Sequence, residues 1–65
     1  MKVMDLTKRM NDYGTRPRIN VLKHETDRAI LIYEGAPGKI SDEIGQLKVN
    51  SFTVRGVGFI EIHTQ

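Results

Sequence analysis

Leu47-Lys-Val-Asn-Ser-Phe-Thr-Val-Arg-Gly-Val-Gly-Phe-Ile-Glu-Ile-His63 is the stretch that decides the fold. Two runs rich in β-branched and aromatic residues flank Arg55-Gly56, and each alternates apolar with polar positions. That pattern predicts a β-hairpin, with strands over Leu47–Val54 and Val57–His63. Phe52, Val54, Ile60 and Ile62 then share one side and are expected in the core. Phe59, Glu61 and His63 fall on the other side.

Upstream, Arg18-Ile-Asn-Val-Leu-Lys-His24 alternates in the same way, placing Ile19 and Val21 together. The polar stretch His24-Glu-Thr-Asp27 reads as a turn. Arg28-Ala-Ile-Leu-Ile-Tyr-Glu34 is apolar on both faces, as a strand covered on two sides would be. At the N-terminus, Val3, Leu6, Met10 and Tyr13 recur at helical spacing, predicting a helix over about residues 4–13. Asp5 suits its first turn, and Gly14 with Pro17 suits its end. Gly35-Ala-Pro-Gly38 is a turn cluster, and Ser41 caps a single helical turn that closes at Gly45.

The expected fold is therefore α+β: one N-terminal helix packed on a strongly curved, four-stranded antiparallel sheet, in the order αββββ, within a single domain. The core is expected from Leu6, Met10, Ile19, Val21, Ile30, Ile32, Ile44, Val49, Phe52, Val54, Ile60 and Ile62.

A chain of 65 residues has little room for such a core, and disulfides cannot help because there is no cysteine. Zinc is not expected either. The only imidazoles, His24 and His63, stand far apart in sequence, with no cysteine between them. A homo-oligomer is the remaining way to enlarge a small core. No apolar run is long enough for a membrane span, and the N-terminus lacks the pattern of a signal peptide, so the expected location is cytoplasmic.

Catalytic chemistry is not visible in the residue pattern. Ser41 and Ser51 lack a nucleophile-elbow context, and Asp42-Glu43 point apart on a helical turn. His24 and His63 read as surface histidines, and neither Gly35–Gly38 nor Gly56–Gly58 is a phosphate loop. No enzyme activity and no cofactor are expected. Two binding surfaces remain. Leu31 and Tyr33 on the second strand, with Phe59 and Glu61 on the last, form an expected protein-binding patch on the sheet face away from the helix. The alternative is a nucleic-acid surface of Lys8, Arg9, Arg16, Arg18, Lys23 and Arg28. The net charge is +2, and residues 1–28 hold seven of the ten Lys and Arg against four acids.

The segments Met4–Met10, Ile19-Asn-Val21, Ile32-Tyr-Glu-Gly35, Val49-Asn-Ser-Phe52 and Phe59-Ile-Glu-Ile62 resemble a loose group of helix-then-meander proteins. These are the small proteins encoded in phages and prophages of Gram-positive bacteria. The resemblance implies a non-enzymatic accessory protein that binds or inhibits a host protein, and it transfers no catalytic residue. The element order is also similar to the Sm-like RNA-binding barrel, whose RNA-contact signatures this chain lacks.

Overall fold

The computed structural model describes residues 1–10, 17–56 and 58–65. Helix α1 spans Val3–Met10, and strands β1 (Arg18–Glu25) and β2 (Arg28–Gly35) follow. A 3-10 turn at Pro37–Lys39 and the short helix α2 (Asp42–Gly45) lead to β3 (Val49–Gly56) and β4 (Phe59–Thr64). Tyr13 and Gly14, where the sequence places the helix end, lie outside the described residues, as do Arg16 and Val57.

The protein is α+β, but its sheet is mixed. The strand order is β2-β1-β4-β3, and β1 runs parallel to β4. This corrects the expected all-antiparallel sheet. Each half of the sheet is a hairpin, as the turns dictate, but the halves join through their inner strands. The segment between β2 and β3 crosses from one edge of the sheet to the other. Ile40, Ile44 and Leu47 pack against the core on the way. A crossover of this kind is what a parallel pair requires.

The parallel pair sits where burial is greatest. Ile19 lies opposite Ile60, and Val21 opposite Ile62. Ile19, Val21 and Ile62 are fully buried with Val3 of α1, and Leu6 and Met10 complete the cluster. α1 is anchored over this seam at its start. The Val3 N–H donates to the Leu47 carbonyl at 2.9 Å, and the Asp5 carboxylate accepts from the Lys2 N–H at 2.9 Å. Asp5 thus supplies the N3 half of a capping box. In α2, Ser41 caps as expected: its Oγ accepts from the Ile44 N–H at 3.2 Å.

Two turns shift from their expected places. His24 and Glu25 belong to β1, so the first hairpin turns at Thr26-Asp27. In the second hairpin Gly56 pairs with Phe59, and Gly58 occupies the turn with φ of 73°, a region that glycine enters without a Cβ clash.

Phe52 and Val54 are the main correction to the expected core. They stand opposite Ile62 and Ile60 on the helix side of the sheet, yet are 46% and 65% exposed. The reason is width. Four strands span about 14 Å between outer axes, whereas a helix is about 10 Å across with its side chains. One helix centred on β1 and β4 leaves the inner face of β3 open. Ile30 is likewise half-buried and lies outside the core cluster.

Truncation at these positions separates seam from rim. Ile62→Ala is expected to cost about 2–5 kcal/mol in urea unfolding. Val54→Ala, on the same face, is expected to stay within about 0.5 kcal/mol of the parent. Equal losses at both positions would contradict this packing.

Candidate functional site

The sheet face away from α1 carries a row of polar side chains that the strand register assembles. Along β4, Phe59, Glu61 and His63 alternate with the core residues Ile60 and Ile62. Register with β3 puts Thr53 beside Glu61 and Ser51 beside His63. Register with β1 puts Leu22 beside His63, so His24, two residues on, projects from the same face next to it.

Three of these groups, Glu61, His63 and His24, form one hydrogen-bonded chain with Arg55 of β3. Arg55 Nη2 donates to Glu61 Oε1 at 3.2 Å, and the same oxygen lies 2.8 Å from His63 Nε2. His63 Nδ1 in turn lies 2.6 Å from His24 Nε2. An ionised Glu61 only accepts, so His63 carries a proton on Nε2. In its neutral form Nδ1 is then the acceptor, and His24 donates from Nε2. The Arg55 guanidinium first, and the His63 ring second, hold the Glu61 carboxyl below its usual value against a smaller opposing effect of burial.

Sequence reading assigned His24 and His63 to separate surface sites with no close pair. Here they are neighbours across 39 positions of chain. Only the parallel register brings them together, and nothing in local spacing announces it. The arrangement does not resemble a nucleophile with its base. Ser51 flanks His63 in the register, but both His63 ring nitrogens are already engaged. Among the described residues no group of three or more His, Asp or Glu is placed to hold a metal ion.

Of the expected protein-binding patch, Leu31, Phe59 and Glu61 share the face away from α1, and Tyr33 leaves it. Leu31, about half exposed, pairs with Leu22, while Phe59 and Glu61 belong to β4. Tyr33 is a correction: it lies opposite the buried Val21, packs against the core, and donates its hydroxyl to the Ala36 carbonyl. A β-bulge between Val21 and Leu22 separates the two stretches of the β1–β2 register. The basic set is dispersed. Lys8 and Arg9 are exposed on α1, and Arg18, beside Phe59 on β4, pairs with Glu34 at 3.9 Å. Lys23 and Arg28 lie at the far end of the β1–β2 hairpin, and Arg16 lies outside the described residues.

The lowered Glu61 carboxyl has a signed consequence for stability. Its contribution is complete above the ordinary carboxylate range and is lost as the pH falls through the lowered value. In chelator-treated buffer, urea midpoints of the parent are expected to fall more steeply toward acid pH than those of Glu61→Gln. Parallel pH curves would contradict the chain of bonds to Arg55 and His63.

No helix among the described residues is long and apolar enough to cross a membrane. Comparison of the chain with protein-family models, with curated proteins and with solved structures finds no match.

Proposed function

We propose that this chain is a non-enzymatic protein-interaction module, and that its docking element is the edge strand β3. One observation carries the reading: β3 presents Phe52 and Val54 to solvent beside a strand edge that no other described strand of the sheet pairs with. The N-terminal residues use only the beginning of that edge. The Val49 N–H donates to the Met1 carbonyl at 2.8 Å, and Lys2 forms an isolated bridge with Lys48. From residue 50 onward, β3 pairs with β4 alone among the described residues.

An edge strand of this kind offers main-chain donors and acceptors to an extended segment of a partner, while the exposed side chains supply contact area. The partner is therefore a protein that contributes a strand with apolar residues toward Phe52 and Val54. A phage-type accessory protein, as the sequence resemblance implies, would act by capping a host protein in this way. Relative to the Leu31, Tyr33, Phe59 and Glu61 patch, the surface moves. Tyr33 is committed to the core, and Glu61 to Arg55 and His63.

The test compares baits in cell lysate. Phe52→Asp combined with Val54→Asp alters only exposed side chains and is expected to keep the urea midpoint near that of the parent. The parent is expected to retain a protein that this variant loses and that Lys8→Ala with Arg9→Ala keeps. Identical retention by all three baits, or capture of nucleic acid that falls away steeply with salt, would refute the reading.

A further inference from the structure

Two imidazoles aimed nitrogen to nitrogen can share a proton or grip a cation. His24 Nε2 and His63 Nδ1 are 2.6 Å apart, with ring centroids at 4.8 Å and planes inclined by 38°. Imidazole nitrogens bind zinc at about 2.0–2.1 Å, and a tetrahedral angle then sets two of them about 3.3 Å apart. The two nitrogens now face each other nearly head-on, so with His63 held by Glu61 the His24 ring must swing off that line until both lone pairs meet at the ion. His24 is exposed, so its side chain has room to give.

A second feature points the same way. Behind His63 stands a carboxylate, Glu61, which is itself held by Arg55. Metal-binding histidines are characteristically supported in this manner: the outer N–H bonds a carboxylate, which fixes the tautomer and turns the opposite lone pair toward the ion. Proton sharing between two rings needs no such backing. The lone pair so fixed is on Nδ1, the atom that faces His24.

We infer that His24 Nε2 and His63 Nδ1 form a two-histidine site for a late first-row divalent ion such as Zn²⁺, Ni²⁺ or Cu²⁺, with Glu61 as the positioning residue behind His63. Imidazole donors select these ions over Mg²⁺ and Ca²⁺. Binding requires His24 to move its proton from Nε2 to Nδ1 through solvent, leaving both ligands neutral. Water, or a donor from a bound protein, completes the shell. The site lies on the face away from α1 and does not depend on docking at β3.

The test uses the full chain, freed of metal with chelator and titrated with Zn²⁺ and separately with Mg²⁺. Binding is followed by calorimetry and by long-range ¹H–¹⁵N spectra of the rings. Zn²⁺ is expected to bind saturably, with His63 Nδ1 and His24 Nε2 shifting together, while Mg²⁺ gives no response. His24→Ala, at an exposed position, is expected to abolish saturable binding. Glu61→Gln is expected to weaken it about 10–100-fold and to blur the single-tautomer signature of His63 before metal is added. Absence of saturable Zn²⁺ binding, or equal affinity in His24→Ala, would overturn the inference.

Discussion

The register between β1 and β4 is the constraint on which the remaining structure depends. Ile19, Val21 and Ile62 are fully buried along this seam together with Val3 of α1, and Ile60 packs against them. Burying a side chain of this size contributes about 1.5–3 kcal/mol, so in a chain of 65 residues these few positions dominate. Because side chains alternate along a strand, a one-residue slip would turn the core outward. The same seam fixes the opposite face, since the pairing that buries Val21 and Ile62 also sets Leu22 beside His63. Packing on one side therefore determines chemistry on the other.

The two faces differ in character for a geometric reason. On the helix side one short helix meets four strands and covers the central two, so Phe52 and Val54 remain outside the core although they share its face. On the far side, among the described residues, the sheet carries no helix but the bonded row from Arg55 through Glu61 and His63 to His24. The apolar overflow suits a protein partner, and the polar row suits a small cation. Both use residues that the core leaves free.

Much of the fold was legible in local pattern. Alternation marked β1, β3 and β4, a β-branched run apolar on both faces marked β2, helical spacing marked α1, and the Ser41 cap marked α2. What local pattern could not supply was the pairing of strands distant in sequence. Hairpin signals specify neighbours, and they led to an all-antiparallel order, whereas the two hairpins meet through β1 and β4. Phe52 and Val54 carried the right alternation for the core, but alternation reports a face and not its cover. Tyr33 was assigned to the wrong side because β2 is apolar on both faces and its β-bulge leaves no trace in the residue types. The histidine pair was invisible for the same reason as the parallel seam that creates it.

The most direct measurement of this account is the set of interstrand nuclear Overhauser effects in the labelled full-length chain. A parallel β1–β4 pair gives amide-to-α-proton contacts in the Ile19–Ile60 and Val21–Ile62 register, together with contacts between the rings of His24 and His63. Close α-proton pairs between β1 and β4, the mark of antiparallel strands, would contradict it. So would the absence of any contact between those two strands, because the core and the histidine pair would then lose their common origin.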